Sequence, residues 1–314
     1  MRLAILCSGQ AGQHREMLDP VFDTPGCADL CEIASRVLGQ PVERWWRSLD
    51  EGALFANANA QFAITLVQLA NWQRVGPFLG RAPSVVAGYS LGEVVAWHVA
   101  GSLSATDTLS LVRERARLMD ACVPPGPLGA GCMALWRGRT LPALREARTQ
   151  AMARHGVSVA IHRPAGELVL GGAPRAMDAF VADAALAAAD LKRLPVAVPS
   201  HTPALADAVE RLRQALTRRP MTEPRVPVLA GIDGTLQRRA VDALRSLPRQ
   251  VAEALHWDWC VETLAALGVD VAIELGPGND LARQLEAQIP GSIARAVDEF
   301  AIAEDIAPWL DLHS

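Results

Sequence analysis

Gly88-Tyr89-Ser90-Leu91-Gly92 fits the pattern Gly-x-Ser-x-Gly. The β-branched run Ser84-Val85-Val86-Ala87-Gly88 precedes it and an apolar stretch, Leu91 to Ala100, follows it. Between a strand and a helix, this pattern makes a strained turn that exposes the serine hydroxyl at a helix N-terminus. Its glycines permit a turn that a Cβ would block. The first amides of the helix stabilise negative charge. These residues point to nucleophilic acyl chemistry through Ser90, with a purely structural glycine turn as the other reading.

A serine hydroxyl needs a base. Histidines stand at 14, 98, 155, 162, 201, 256 and 313. His98 lies two turns beyond Ser90 on the same predicted helix and cannot reach back. His14 follows the loop Gly9-Gln10-Ala11-Gly12-Gln13, and His201 follows Pro199-Ser200 at the end of an irregular stretch. Both remain candidates, since loop ends after strands are where functional side chains gather. The glycine loop can aim an N–H at a developing oxyanion. It lacks the Lys and Ser/Thr of a P-loop and the spacing of a dinucleotide loop.

Arg115 is picked out by periodicity. In a helix predicted over 106–122, capped by Thr106 or Asp107, Leu111, Val112, Leu118 and Met119 form the apolar face, and Arg115 shares it. A cation there needs a partner. It is either a bidentate clamp for a substrate carboxylate or a structural ion pair or snorkelling side chain.

The elements that must position these residues alternate. Strands are predicted at Leu3–Cys7, Ser84–Gly88, Cys132–Trp136, Val157–His162, Glu167–Leu170, 227–230 and 270–275. Helices are predicted at 61–75, 91–100, 106–122, 141–154, 173–191, 203–217, 240–254, 258–267 and 279–288. Gly276-Pro277-Gly278 breaks the last strand. The helix-hostile Val123-Pro124-Pro125-Gly126-Pro127-Leu128-Gly129 marks a boundary. The pattern implies an α/β protein with a mostly parallel sheet and an α+β insertion over 130–195.

The chain has 314 residues and is 50% hydrophobic and 20% charged, which suits a large globular core and excludes wholesale disorder. Thirty basic against 34 acidic residues give net charge −4, no field for wrapping a nucleic acid. No uncharged apolar run reaches the ~18 residues of a membrane span. The N-terminal apolar run is short for a signal peptide. A cytoplasmic protein is expected. Cys27 and Cys31 lack the second pair of a zinc site and read, like the other four cysteines, as reduced core thiols. Lys192 is the single lysine, a skew that codon bias accounts for.

Several motifs occur in one order: Gly-Gln-x-x-Gln after the first strand, Gly-x-Ser-Leu-Gly-Glu at 88–93, Arg-x-x-x-Met at 115–119, Pro-Ser-His at 199–201 and Glu-Leu-Gly-Pro-Gly at 274–278. Together they resemble the malonyl-CoA:acyl-carrier-protein transacylases over nearly the whole chain. The segment Leu54-Phe55-Ala56-Asn57-Ala58-Asn59-Ala60-Gln61 and Tyr89 look most like the branch that serves malonate decarboxylase, its epsilon (acyltransferase) subunit.

The resemblance implies a hydrolase-like α/β core at 1–125 and 196–314, with a small ferredoxin-like domain inserted at 126–195. It implies Ser90 as nucleophile, His201 as base and the backbone carbonyl of Gln250 orienting that histidine. The amides of Gln10 and Leu91 would form the oxyanion hole, Arg115 would hold the malonyl carboxylate, and Gln61 would line the site. No bound cofactor or metal is implied. Malonyl-CoA would be the donor. The thiol of a phosphopantetheine-type carrier would be the acceptor, in a decarboxylase setting a carrier subunit bearing a triphosphoribosyl dephospho-CoA derivative beside other decarboxylase subunits. The alternatives are malonyl transfer for fatty-acid or polyketide synthesis and, in another class, a serine esterase or thioesterase drawing on Asp258 or Asp270 with His313. A non-catalytic scaffold fits poorly with Ser90, His201 and Arg115 all present.

Two departures from the family stand out. Tyr89, the only tyrosine, replaces the usual His before the nucleophile. His162-Arg163-Pro164-Ala165-Gly166-Glu167 replaces the usual Asn-x-Pro-x-Gln, which touches the pantetheine arm in the family. Arg163 becomes a candidate for an extra phosphate.

Overall fold

The computed structural model describes residues 1–123, 132–137, 142–187 and 189–313. Its strands are β1 (Leu3–Cys7), β2 (Val85–Gly88), β3 (Met133–Arg137), β4 (Ser158–His162), β5 (Leu168–Gly171), β6 (Asp190–Leu194), β7 (Val228–Leu229), β8 (Leu236–Gln237), β9 (Leu255–His256), β10 (Val271–Glu274) and β11 (Ile293–Ala296).

A six-stranded sheet has the order β11-β10-β1-β2-β7-β8. It is parallel apart from the antiparallel pair β7–β8. Strand β1 lies near its middle and shows why such strands read as unbroken apolar runs. Leu3, Ile5 and Cys7 point into one core cluster, while Ala4 and Leu6 point into another. The first cluster includes residues of the helices Asn57–Val75, Gly92–Val99, Ala105–Asp120 and Ala206–Thr217. The second includes residues of Trp257–Ala266 and Asp280–Gln288.

The second sheet has the order β6-β3-β5-β4-β9. Its strands β3 to β6 are antiparallel and follow the βαββαβ path of a ferredoxin-like unit, with helices Pro142–His155 and Pro174–Val181. Ala134, Trp136, Leu168 and Leu170 pack with Met177 and Phe180 on one face. Met133, Leu135, Ile161 and Val169 on the other face join the cluster shared with the large sheet. Strand β9 extends this sheet from a later part of the chain, pairing parallel with β4 through Ile161↔Leu255 and His162↔His256.

Three expectations change. The helix predicted over 173–191 ends at Val181; a short turn at Ala184–Leu186 and strand β6 follow. The alanines favour a helix, yet the open edge of β3 captures Asp190–Leu194, and tertiary pairing overrides propensity. The helix predicted over 240–254 ends at Arg249, so the next residues form a turn. The cap of Ala105–Asp120 is Ser104, whose hydroxyl accepts from the Asp107 amide at 3.0 Å. Helices at Ala28–Leu38 and Val42–Ser48 add to those expected. The predicted boundary at Pro124–Gly129 and the helix start at Leu141 lie outside the described residues. No helix among the described residues is long and apolar enough to cross a membrane.

Gly92 is where the helix after Ser90 meets β1. A Cβ on it would stand 2.0 Å from the carbonyl oxygen of Cys7. We therefore expect Gly92→Ala to lower stability by at least ~2 kcal/mol or to prevent folding. Thermal unfolding checks this; an unchanged midpoint contradicts the close packing.

Candidate active site

Ser90 sits between the end of β2 and the helix Gly92–Val99 with φ +59°. This left-handed backbone is uncommon for a non-glycine residue and marks a turn held by its surroundings. A Cβ on Gly88 would lie 2.2 Å from the Glu93 amide nitrogen, so that position also needs glycine. The turn leaves the Ser90 side chain in the wall of a 420 Å³ cleft.

His201 comes from the loop after β6 and also has a positive φ, +61°. Its amide donates to the Val251 carbonyl at 2.8 Å. Ring Nδ1 donates to the Gln250 carbonyl, which leaves Nε2 as an acceptor facing the Ser90 hydroxyl at 2.6 Å. The turn after Arg249 thus presents two consecutive carbonyls to one histidine. His201 is 1% exposed. Burial, then the charge of Arg115, lowers its pKa to about 3, so the imidazole is neutral at pH 7. The esterase alternative finds no such partners. Asp270 holds the N-terminal amino group at 3.8 Å, Asp258 lies beside His256, and His313 stacks edge-on to Trp309. His14 faces Glu16 at 3.2 Å on the surface.

Sequence reasoning gave Glu93 no role. Its carboxylate, fully buried, accepts from the Gly231 amide at 2.9 Å, the Gln250 side-chain amide at 3.2 Å and the Ser246 hydroxyl at 3.2 Å. Burial raises its pKa to about 7 against those bonds. The signal was present: a glutamate on an otherwise apolar helix, Glu93-Val94-Val95-Ala96-Trp97.

Arg115 is 1% exposed on the face that periodicity assigned to it. Nη1 donates to Gln61 Oε1 at 2.7 Å. Gln61 in turn donates to Asn57 at 2.7 Å, and Asn57 to Asp120 at 2.8 Å. Arg115 Nε and Nη2 have no partner among the described residues. A structural ion pair is therefore not what holds it. Burial lowers its pKa to about 10, leaving it charged at neutral pH. Arg115 and Gln61 are not in the wall of the cleft, although the charge of Arg115 reaches His201.

Gln10 follows β1 and lines the cleft. The Leu91 amide stands at the start of the Gly92–Val99 helix, where N–H groups lack an intrahelical acceptor. Glu274, in the same wall, accepts from the Ser8 hydroxyl at 2.7 Å and the Ala282 amide at 2.8 Å, and burial raises its pKa to about 7. It ties the end of β10 to the helix Asp280–Gln288. Arg163 differs from expectation. It faces Glu167 at 3.1 Å and Asp280 at 3.2 Å, so its charge is already met and no phosphate is needed to satisfy it.

Among the described residues, His162, His256 and Asp258 bring three possible metal-ligand atoms within 4.8 Å. The two imidazoles stack at 4.4 Å with planes 4° apart, and Trp259 stacks on His256 at 3.6 Å. Ring lone pairs lie in the ring planes, so parallel rings do not aim at one ion.

The acyl transferase domain profile matches residues 6–287. The chain belongs to the acyl transferase family. It is 34% identical over 309 residues to the malonyl CoA-acyl carrier protein transacylase of Escherichia coli K12, covering 95% of this chain and 96% of that one. Among solved structures, it superposes on the Mycobacterium tuberculosis transacylase with TM-score 0.87 at 26% identity, covering 98% and 100% of the chains. A malonyl-transacylase solved in complex with a type II polyketide acyl-carrier protein gives TM-score 0.87 at 28% identity, covering 98% and 99%. These acyltransferase folds match the parallel core and the inserted ferredoxin-like unit.

Replacing Glu93 by Ala removes the acceptor of two buried donors, the Gly231 amide and the Gln250 side-chain amide, while the Ser246 hydroxyl keeps Gln237 Oε1 at 3.1 Å. We expect a loss of roughly 2–4 kcal/mol, read from denaturant unfolding. A change within ~0.5 kcal/mol means that the two amides find other partners.

Proposed function

We propose that this protein is a malonyl-CoA:acyl-carrier-protein S-malonyltransferase that works through a malonyl-Ser90 intermediate. The observation that carries the reading is the 2.6 Å contact between the Ser90 hydroxyl and a buried, neutral His201. In the first half-reaction, His201 Nε2 takes the hydroxyl proton as Ser90 Oγ attacks the thioester carbonyl. The amides of Gln10 and Leu91 receive the oxyanion. CoA leaves as a thiol, with the proton returned from His201. The carrier thiol then attacks malonyl-Ser90 with His201 again as base, restoring Ser90. The Gln250 carbonyl keeps the imidazole in the right tautomer and supports the positive charge it gains. Once the wall of the cleft shifts to admit it, the malonyl carboxylate meets the unpartnered Nε and Nη2 of Arg115, which lie buried behind that wall, with Gln61 steadying the guanidinium. Each of these residue roles is part of the proposal, as is the division into 1–125 with 196–314 and the inserted 126–195. No cofactor, metal, membrane or nucleic acid takes part. The cytoplasm is the proposed location.

The relatives favour a carrier of fatty-acid or polyketide synthesis over the decarboxylase carrier that the sequence resemblance puts first. The decarboxylase setting, with its other subunits, is kept as a second reading on Tyr89 and the Leu54–Gln61 segment. A transfer assay decides: malonyl-enzyme is offered a phosphopantetheine carrier and, separately, a carrier bearing the triphosphoribosyl dephospho-CoA group.

Two outcomes are expected from intact-mass labelling. Malonyl-CoA labels the wild type and not Ser90→Ala. Arg115→Ala lowers kcat/KM for malonyl-CoA about 100-fold while acetyl-CoA gains relative to it, because a charged hydrogen bond is lost only toward malonyl. Equal labelling of the wild type by both donors removes the role given to Arg115.

The pH dependence follows from the lowered pKa of His201. The neutral base persists as pH falls past ~6.5, the usual histidine value, and is lost only near the folded value of about 3. The His201 ring should therefore stay neutral from about pH 8 to about pH 5, followed by NMR of its ring protons, while Glu93 and Glu274, raised to about 7, titrate within that window and can shape the rate profile. Protonation of the ring near 6.5 contradicts the burial argument.

A further inference from the structure

The two departures from the family pattern meet in space. Tyr89 immediately precedes Ser90, and Arg163 opens the turn between β4 and β5. The Arg163 guanidinium lies between two carboxylates: Nε is 3.1 Å from Glu167 Oε2, and Nη1 is 3.2 Å from Asp280 Oδ2. Nη2 donates to Asp280 Oδ1 at 3.3 Å. Tyr89 lines the same cleft as this guanidinium. Burial opposes the charge, but the neighbouring groups, Asp280 and Glu167 among them, outweigh it and hold the Arg163 pKa above the ordinary arginine value. The Arg163 side chain is 11% exposed, and all four residues line the cleft.

Each partner belongs to a different element. Tyr89 is in the nucleophile turn and packs edge-on against the buried Trp257 at 5.4 Å. Asp280 opens the helix Asp280–Gln288. Arg163 and Glu167 close their own turn, with the Arg163 amide donating to the Glu167 carbonyl at 2.9 Å. Ala165 and Gly166 complete that turn in left-handed backbone, φ +58° and +75°. This turn follows directly on His162, the last residue of the two-residue β4–β9 pairing. So short a pairing leaves the angle between the sheets to other contacts.

We propose that Arg163 is a positioning residue that clamps the β4–β5 turn to the helix Asp280–Gln288, beside the nucleophile turn, and so sets the width of the cleft through which a thioester reaches Ser90. The clamp carries one cation and two anions. Without Arg163, Glu167 and Asp280 are left as like charges across the cleft, and the turn moves outward. Loss of the arginine therefore does more harm than loss of Asp280, and removing both relieves the repulsion.

The kinetic part rests on the acyl-enzyme reading above. The experiment compares Arg163→Gln, Arg163→Lys, Asp280→Asn and the double variant Arg163→Gln/Asp280→Asn, by single-turnover and steady-state kinetics with malonyl-CoA. Arg163→Gln should raise KM about 10-fold with kcat within about 3-fold, the signature of lost positioning before the chemical step. Arg163→Lys should recover part of that loss. The double variant should be less impaired than the product of the two single effects. A loss in kcat with KM unchanged, multiplicative effects, or no change from Arg163→Gln each overturns the clamp. Thermal unfolding of the same four variants gives a readout independent of turnover. The clamp requires the double variant to lose less than the sum of the single midpoint shifts, and a strictly additive result removes it. If the wild type takes no malonyl label, the acyl-enzyme reading fails, and this coupling alone decides the clamp.

Discussion

The site depends on one neutral imidazole kept away from water. His201 has no carboxylate partner on its Nδ1; it has a backbone carbonyl. A carbonyl fixes the tautomer as a carboxylate does, but offers less to the imidazolium that forms when the proton moves. Burial and the nearby guanidinium add to that cost. The balance favours a base that accepts its proton only transiently. Much of the surrounding architecture follows from holding such a ring still. Two consecutive carbonyls, of Gln250 and Val251, take its ring and its amide, and the helix before them stops at Arg249 to make this possible. The buried Glu93 then holds the Gln250 side chain and the Ser246 hydroxyl. A buried carboxyl group, only partly ionised at neutral pH, thus stands one residue removed from the histidine, on the same helix that follows Ser90.

A second constraint is the chain's own path. Ser90 and Glu93 belong to the β2 turn and the helix after it, while His201 enters from the far side of the insertion. The two halves of the site are separated in the chain by β3 to β6, after which the chain returns to the large sheet. Gly88 lets the serine turn fold tightly onto its own helix, and Gly92 lets that helix sit against the end of β1. Arg115 comes from a third element, the helix Ala105–Asp120, and is braced by Gln61 and Asn57 from a fourth, Asn57–Val75.

Much of this was readable before any coordinates. The Gly-x-Ser-x-Gly turn was legible because it joins two strong patterns, a β-branched run and an apolar helix. Arg115 was legible because a cation on an apolar stripe is conspicuous, though only the structure separates a braced guanidinium with free donors from a buried ion pair. His201 was one of two candidates by position and was singled out by family resemblance, since no periodicity links residues so far apart in the chain. Some of the elements that went unread are ones whose stability is not local. Strands β8 and β9 have two residues each and no pattern to detect. Strand β6 follows directly on an alanine-rich stretch that favours a helix, and pairs with the edge of β3 instead of extending it. The role of Glu93 was hidden because its partners, Gly231, Ser246 and Gln250, lie well over a hundred residues away.

Strand β9 carries a consequence for anyone who would move the inserted unit between relatives. Leu255 and His256 lie far downstream of it in the sequence, yet they cover the outer edge of β4. A fragment cut at the ends of the insertion leaves that edge bare, with backbone groups ready to pair with a neighbouring molecule. A chimera that exchanges the insertion without these two residues joins a foreign edge to a native one. Self-association of the excised piece, and poor grafting of the exchanged one, are the penalties written into this borrowed strand.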